Sequence, residues 1–202
     1  MARLPSTTKR TLIDAAHDLI WANSYAHVSV EDICRKAGVQ KGSFYHFFAS
    51  KAELAAAALE DHWLELEPKL EAIVSTNKTP RAQLRALCRE ILAKQQTALE
   101  TTGMVCGCPY VTVGSEISSS NADLRTISCT MSDRICSYLE RILRHGARDG
   151  LIPARGIKTR AQQMHIYIIG AMMQARITNR LEAVGAPLEA ALLAISGLGA
   201  AR

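Results

Sequence analysis

Two short helical patterns joined by a tight glycine turn, between residues 29 and 48, constrain the fold of this chain more than any other feature. Ser29 is followed three residues later by Asp32, a capping-box arrangement that predicts a helix start, and Gly38 predicts the end of that helix. A second short helix is predicted to begin near Gln40 and holds all three phenylalanines of the protein. Short helices joined in this way are typical of a helix-turn-helix, whose second helix lies in the major groove of DNA.

The remainder of the chain also has apolar residues at helical spacing, and no strand pattern or internal repeat emerges. One amphipathic helix is predicted from Thr7 to Ala22, and a second capping box, at Ser50 and Glu53, opens a long helix that reaches about Val74. The sequence therefore predicts an all-α fold of about nine helices. Two further helices are predicted from Pro80 to about Glu100 and from about Pro109 to Ile117, and a long one from beyond the polar run Ser118–Asn121 to Asp149. The last two are predicted from Lys158 or Thr159 to about Val184 and from Pro187 to about Ser196.

Basic residues are concentrated in the region of the predicted helix-turn-helix. The whole chain has 24 Lys and Arg against 19 Asp and Glu, a net charge of +5. Residues 1–51 contain seven of the basic and four of the acidic residues, so a quarter of the chain carries a net +3. This distribution favours an N-terminal region that binds a polyanion such as nucleic acid, followed by a region that is nearly neutral. A solvated surface is the alternative explanation of so mild an excess.

The composition favours a folded protein of the cytoplasm. Apolar residues make up 48% of the chain, and its most apolar stretch, residues 165–175, is shorter than the roughly 20 residues that cross a bilayer. No apolar segment follows the basic start of the chain, so we expect no secretory signal. Six cysteines are too few for a disulfide scaffold, and we expect them to remain thiols in a reducing compartment. We expect no membrane span, no cofactor and no bound metal.

The run SVEDICRKAGVQKGSFYHFFASKAEL resembles the DNA-binding domain of the TetR family of bacterial repressors, and the resemblance covers roughly residues 7–54. It implies a helix-turn-helix DNA-binding domain in residues 1–52 and a helical regulatory domain, which binds an inducer and dimerises, in residues 53–202. It also implies DNA contacts from Ser29 at the start of the second helix, from Gln40, Lys41, Gly42, Ser43, Tyr45 and His46 on the recognition helix, and from Lys51 at the start of the fourth helix.

The residues of this region support the same interpretation by their own chemistry. Lys41 and Lys51 lie beside predicted helix starts, where backbone N–H groups also favour phosphate. Phe47 departs from the family pattern, which often has a histidine or another polar residue there. Its side chain is therefore predicted either to contact a phosphate or base of the DNA or to pack in the core. Packing against the first helix is the alternative role for Tyr45 and His46.

The last two predicted helices support dimerisation independently of the resemblance. Apolar residues around Met164, Ile168 and Met172 cover more of one helix than a single buried face requires, and the final helix carries a further apolar stripe. Packing of both helices against a second copy would form a four-helix interface, in which Gly170 and Ala171 allow a close approach. A fully internal helix of a monomer is the alternative.

Two interpretations compete for what the regulatory domain senses. Cys106 and Cys108 flank Gly107 at a predicted helix start, where the helix dipole can lower the pKa of a thiol. The stretch GMVCGCPYVTVGSEIS also resembles the Gly-Cys-containing start of the sixth helix in a subset of the family that senses electrophiles and oxidants. Packing is the alternative role of these thiols. The other interpretation is an apolar pocket for a small organic ligand, lined by some of Trp63, Met104, Tyr110, Met131, Tyr138, His165, Tyr167 and Met172.

The sequence thus predicts a dimeric transcriptional regulator, a repressor released from a pseudo-palindromic operator by a small-molecule inducer or by thiol modification. A thiol-dependent enzyme that uses Cys106 with His165 is an alternative, but the chain contains none of the motifs G-x-G-x-x-G, G-x-x-x-x-G-K-[ST], H-E-x-x-H or G-x-S-x-G. A thiol-rich protein that binds a soft metal ion is a further alternative, although C-x-C lacks the spacing of a strong zinc motif. We therefore predict that the protein is not an enzyme.

Overall fold

The computed structural model describes residues 5–75, 77–117 and 121–199, which form nine α-helices and one short 3₁₀ helix. No strand occurs among these residues, so the predicted all-α fold is confirmed. None of the described helices has the length and apolar character needed to cross a membrane. The helices are α1 (Pro5–Ala22), α2 (Val30–Ala37), α3 (Lys41–Phe47), α4 (Lys51–Val74), α5 (Pro80–Thr102), α6 (Pro109–Ile117), α7 (Ala122–Arg148), α8 (Ile157–Thr178) and α9 (Ala186–Ser196), with the 3₁₀ helix at Glu182–Val184.

The predicted pair of short helices is formed by α2 and α3. The capping box is present, since the Asp32 N–H donates to Ser29 Oγ (3.1 Å) and the Ser29 N–H donates to Asp32 Oδ2 (3.0 Å). α2 is followed by Gly38, whose φ of 66° lies in the left-handed region that glycine adopts without strain. Ile33 of α2 and Phe44 of α3 are completely buried. Helices this short are held by such packing rather than by their own hydrogen bonds.

The predicted end of α8 is wrong. This helix ends at Thr178 rather than near Val184, and the 3₁₀ helix follows separately. Asn179 takes a left-handed conformation with a φ of 52°, and its N–H donates to the carbonyl of Arg176 (3.3 Å), which ends the helix. Asparagine is one of the few residues besides glycine that adopt this conformation readily. Asn179 was therefore recognisable as a helix C-cap.

The chain packs as two compact units. The first consists of Met1–Glu65 and Pro109–Thr130, and the second of Leu66–Cys108 and Met131–Arg202. α6 therefore belongs to the N-terminal unit, while α4 and α7 contribute to both. Each unit has its own apolar core. Completely buried side chains include Leu12, Ile33, Phe44 and Leu54 in the first unit, and Leu84, Leu143, Met164 and Leu188 in the second.

These units are defined by packing and do not follow a single cut in the chain. The predicted boundary after residue 52 assigns most of α4 and all of α6 to the regulatory part, whereas residues 53–65 and α6 pack with the N-terminal helices. A division of function at residue 52 stays a prediction.

Candidate functional site

α3 separates its polar residues from its apolar residues along two faces. Phe44 is completely buried and Phe48, just after the helix, is 3% exposed, so these rings anchor α3 in the core. Tyr45 is 53% exposed, and its ring meets that of Phe44 edge to face at 5.1 Å. The helix therefore presents to solvent most of the side chains predicted to contact DNA. Gln40, Lys41, Gly42, Tyr45 and His46 are exposed, while Ser43, Ser29 and Phe47 are half-buried.

Lys41, at the first position of α3, is paired with an acid of α2. Its ammonium donates to the Glu31 carboxylate, and this hydrogen bond raises the pKa of Lys41 and lowers the pKa of Glu31. The pair lies in solvent, where such ion pairs contribute little to stability. A phosphate would compete with Glu31 for the same ammonium.

Lys51, at the first position of α4, is half-buried and engaged with the loop between α1 and α2. Its Nζ donates to the carbonyl oxygens of Tyr25 (2.8 Å) and Val28 (2.9 Å), and it lies 4.2 Å from the centre of the Tyr25 ring. Burial lowers the pKa of Lys51. An ammonium has three N–H donors, so a phosphate contact from this side chain, which stays a prediction, would use the third. Sequence reasoning missed the role of Lys51 in holding this loop.

A cluster of aromatic rings lies between α1, α4 and α6 in the N-terminal unit. The His17 ring lies 4.5 Å from the Trp21 ring and 5.5 Å from the His62 ring, and Tyr110 packs 5.5 Å from His62. A cavity of about 20 Å³ adjoins the cluster, which is room for about one water molecule. Its walls contain none of the predicted ligand-contacting residues. They are formed by Ala16, His17, Ile20, Trp21, Ala55, Ala58, Leu59, His62, Pro109, Thr112 and Val113.

The predicted ligand-contacting residues are divided between the two units. Trp63 and Tyr110 are buried in the first unit, and the Tyr110 hydroxyl donates to the carbonyl of Leu59 (3.4 Å). In the second unit, Tyr138 and His165 are buried, Met172 is half-buried and Tyr167 is 42% exposed. Their role in ligand binding stays a prediction.

The surroundings of Tyr138 and His165 shift the pKa of both side chains. The Tyr138 hydroxyl donates to Glu71 Oε1 (3.0 Å), and burial together with this acid raises the pKa of Tyr138 to about 12. Arg141 also donates to Glu71 (2.6 Å), which lowers the pKa of that carboxyl to about 2. Burial lowers the pKa of His165, so this imidazole favours its neutral form.

The cysteine-containing loop between α5 and α6 is fixed by Gln95 of α5. This side chain is 1% exposed, and its carboxamide accepts from the N–H of Gly107 (2.8 Å) and donates to the carbonyl of Gly107 (3.1 Å). Gly107 has a φ of 73°, and a Cβ there would stand 3.4 Å from the side chain of Arg176. Glycine is therefore favoured here by the backbone conformation, while a Cβ would stand at ordinary contact distance.

The end of α8 holds the same loop from the other side. Asn179 accepts from the N–H of Val105 (2.8 Å) and donates to the carbonyl of Gly103 (3.1 Å). Arg176 donates to the carbonyl of Cys106 (2.5 Å). Side chains of α5, of α8 and of the C-cap residue Asn179 thus bind the backbone of the loop at four of its residues. Sequence reasoning found the cysteines but missed the side chains that position them.

The two cysteines of this loop differ in exposure. Cys106 is 4% exposed, and its Sγ lies 3.5 Å from the carbonyl of Met104. Cys108 is half-buried and directly precedes Pro109, the first residue of α6, which confirms the predicted helix start. Within residues 5–75, 77–117 and 121–199, no group of three His, Cys, Asp or Glu side chains is placed to hold a metal ion.

α8 has an exposed apolar face opposite its buried one. Its buried residues include Met164, His165 and Ile168, whereas Ile166 is 68% and Ile177 is 72% exposed. Gly170 lies between them on the exposed side, and a Cβ added there would meet no atom within 4 Å. Large apolar side chains in solvent are typical of surfaces that bind another protein chain.

Two family models match the chain. Residues 12–58 match the model described as bacterial regulatory proteins, tetR family. Residues 80–194, more than half of the chain, match the model described as Tetracyclin repressor-like, C-terminal domain. The first match contains α2 and α3, and the second runs from the start of α5 into α9.

Similar proteins support the same assignment over most of the length. The chain is 25% identical over 195 residues to the HTH-type transcriptional repressor NemR of Escherichia coli (strain K12), which covers 95% of this chain and 93% of that protein. It is 31% identical over 121 residues to the transcriptional regulator AcuR of Cereibacter sphaeroides, which covers 59% of this chain and 53% of that protein.

Solved structures share the whole architecture. A transcriptional regulator of the TetR family from Agrobacterium tumefaciens superposes with a TM-score of 0.84 at 22% identity, covering 94% of this chain and 97% of that one. The reduced form of E. coli NemR superposes with a TM-score of 0.73 at 25% identity, covering 93% of this chain and 94% of that one.

Proposed function

Because the chain belongs to the TetR family of bacterial regulatory proteins, it is a DNA-binding transcriptional regulator, and we propose that its mode of action is inducible repression. A dimer binds a pseudo-palindromic operator and leaves it when a small molecule binds the regulatory part or when an electrophile modifies a thiol. The observation that carries this proposal is the anchored α3 with its exposed polar face. E. coli NemR, with which the chain aligns over most of its length, is named a repressor. Since the partner is chromosomal DNA, we place the protein in the cytoplasm.

The recognition surface consists of the exposed residues of α3 together with the starts of α2 and α4. Tyr45 presents a ring edge and a hydroxyl, while Lys41 offers its ammonium to phosphate. We expect the wild-type protein to select a pseudo-palindromic duplex from random-sequence DNA, with half-sites spaced to match a symmetric dimer. In fluorescence anisotropy on the selected duplex, Tyr45→Ala should weaken binding by about tenfold or more.

Lys41→Ala should also weaken binding and should reduce the slope of log affinity against log salt by about 1, because one phosphate contact is lost. Lys78→Ala, an exposed lysine of the loop between α4 and α5, is the matched control and should leave the slope unchanged. Glu31→Gln should strengthen binding, since it removes the acid that competes with phosphate for Lys41. Wild-type affinity in both Tyr45→Ala and Lys41→Ala would remove α3 from the interface.

The dimer forms through α8 and α9. The exposed Ile166 and Ile177 supply apolar area on α8, and the open space beside Gly170 admits a second helix. Gly170→Glu should convert the dimer to monomers in size-exclusion chromatography with light scattering. The monomer should remain helical, because glutamate favours a helix interior over glycine by up to about 1 kcal/mol. A dimer that persists in Gly170→Glu would place the interface elsewhere.

Release by thiol modification uses Cys106 or Cys108. The loop that carries them is fixed at its backbone. Cys106 is 4% exposed, so a group added to its sulfur would displace the side chains that bury it, whereas the half-buried Cys108 is the more accessible thiol. E. coli NemR, whose solved structure superposes on the chain, was crystallised in a reduced form, so its redox state was a variable. N-ethylmaleimide should release the wild-type protein from the selected duplex, and Cys106→Ser with Cys108→Ser should blunt the response. An unchanged response of the double variant would assign the release to another thiol, such as the exposed Cys129, and would exclude Cys106 and Cys108 as the sensor.

A further inference from the structure

The loop between α1 and α2, residues 23–29, is held by an acidic side chain that sequence reasoning did not single out. Glu116 lies in the last turn of α6, and its Oε2 accepts hydrogen bonds from the backbone N–H of Ala26 (2.9 Å) and from Ser24 Oγ (3.1 Å). All of these residues belong to the N-terminal unit. The loop leads directly into Ser29, the N-cap of the first helix of the helix-turn-helix.

The opposite side of the same loop is held by a cation. Lys51 of α4 donates to the carbonyl oxygens of Tyr25 and Val28. The attraction of the Glu116 carboxylate raises the pKa of Lys51, against the stronger effect of burial. An anion therefore binds an N–H of the loop and a cation binds its carbonyl groups, so α6 and α4 fix the loop between them.

The position of Glu116 is unfavourable for α6 itself. A carboxylate in the last turn of a helix meets the negative end of the helix dipole, where a basic residue is preferred. α6 also has no basic residue in its last turn to compensate. The contact with the loop offsets this cost, because hydrogen bonds to an ionised acceptor are stronger than those between neutral groups.

We infer that Glu116 is a positioning residue that holds the α1–α2 loop, and with it α2 and α3, in the arrangement that binds the operator. The inference rests on the proposed function. It names the contacts within the N-terminal unit on which this arrangement depends: loss of the hydrogen bonds from Glu116 to Ala26 and Ser24 releases the loop that leads into α2.

The test compares Glu116→Ala and Glu116→Gln with Glu60→Ala in the full-length dimer. Glu60 is an exposed acid of α4 in the same unit, so its removal changes the net charge by the same amount without touching the loop. Removal of an acid from a DNA-binding protein strengthens binding on electrostatic grounds alone. For Glu116→Ala we expect the opposite sign, namely weaker binding to the duplex that the wild-type protein selects. Glu116→Gln keeps an acceptor for the Ala26 N–H and should restore part of the affinity.

Amide hydrogen exchange provides a readout that does not depend on DNA. In Glu116→Ala the peptide that covers residues 22–29 should exchange about tenfold faster, the effect of losing one charge-assisted hydrogen bond at a partly exposed site. The same peptide should exchange at the wild-type rate in Glu60→Ala. Faster exchange together with weaker DNA binding supports the inference.

Two results would overturn the inference about Glu116, and a third would overturn the proposed function. Unchanged exchange in Glu116→Ala overturns the inference whatever happens to DNA binding. Faster exchange with an affinity equal to that of Glu60→Ala also overturns it, because the loop would then not position α2 and α3. If the wild-type protein selects no duplex, the proposed function fails, and the exchange experiment still decides whether Glu116 holds the loop.

Discussion

Replacement of Gln95 by alanine should destabilise the protein and loosen the loop that carries Cys106 and Cys108. Gln95 is 1% exposed, and its carboxamide makes two hydrogen bonds to the backbone of Gly107, at 2.8 and 3.1 Å. A buried polar group that loses its partner costs roughly 1–3 kcal/mol, so the two bonds correspond to about 2–6 kcal/mol. Since domains are stable by about 5–15 kcal/mol, this loss is a large fraction of the total.

Urea unfolding measures this loss, at one fixed protomer concentration because the stability of a dimer depends on concentration. Gln96→Ala is the matched control, since Gln96 is the exposed neighbour on the same helix, and it should change the free energy of unfolding by no more than about 0.5 kcal/mol. Gln95→Met keeps most of the side-chain volume. If the hydrogen bonds dominate, Gln95→Met should cost nearly as much as Gln95→Ala, whereas a pure cavity effect would leave it close to wild type.

The loosened loop should also expose Cys106, which is 4% exposed in the intact protein. Alkylation of this residue by iodoacetamide, followed by mass spectrometry of the native protein, should be faster in Gln95→Ala than in Gln96→Ala. The reasoning is refuted if Gln95→Ala loses no more stability than Gln96→Ala, or if Cys106 is alkylated at the same rate in both.

Three further predictions concern stability and thiol chemistry. The hydrogen bond from Arg141 chiefly lowers the pKa of Glu71 in the folded protein to about 2. The pair therefore stabilises the protein above the unfolded carboxyl pKa, and this contribution is lost as the pH falls towards 2. In urea unfolding, Arg141→Met should destabilise the protein more at pH 7 than at pH 2.5, and an equal loss at both pH values would contradict this. Gly38→Ala should lower the free energy of unfolding by about 1–2 kcal/mol, because a φ of 66° is strained for alanine. Gly42→Ala inside α3 should be neutral or stabilising in the same thermal unfolding experiment. Equal melting temperatures of the two variants would rule out strain at Gly38. Burial raises the pKa of Cys88 to about 12, so at pH 8 mass spectrometry should find it unmodified by iodoacetamide while the exposed Cys129 reacts, and modification of Cys88 first would show that native α5 opens.

The elements of this fold were predictable because their signals are local in the sequence. Ser29 and Asp32 form a capping box within one turn, Gly38 ends α2, and Pro109 begins α6 as its missing N–H allows. The prediction that α8 ends near Val184 was wrong because its C-cap signal is weak. Asparagine, here Asn179, ends helices in the same way as glycine but does so less often.

The side chains that position the candidate sites were not predictable, because their partners are far away in the sequence. Gln95 binds a backbone 12 residues later, and Glu116 binds an N–H 90 residues earlier. A polar residue on a helix has the same local pattern whether it faces water or a buried backbone group, so periodicity cannot separate the two cases. Lys51 illustrates this: its place at a helix start predicts a phosphate contact, yet two of its donors bind the α1–α2 loop.

α6 joins the two sets of contacts that sequence reasoning missed. Its first residue, Pro109, follows a loop whose backbone is bound by Gln95, Arg176 and Asn179, and its last turn carries Glu116, which binds the α1–α2 loop. A helix of nine residues is about 13 Å long and is stiff along its axis, since each turn is hydrogen-bonded to the next. The hydrogen bonds of Glu116 lie at the end of α6 away from the cysteine-containing loop. Transmission of a change at that loop to the helix-turn-helix stays a prediction.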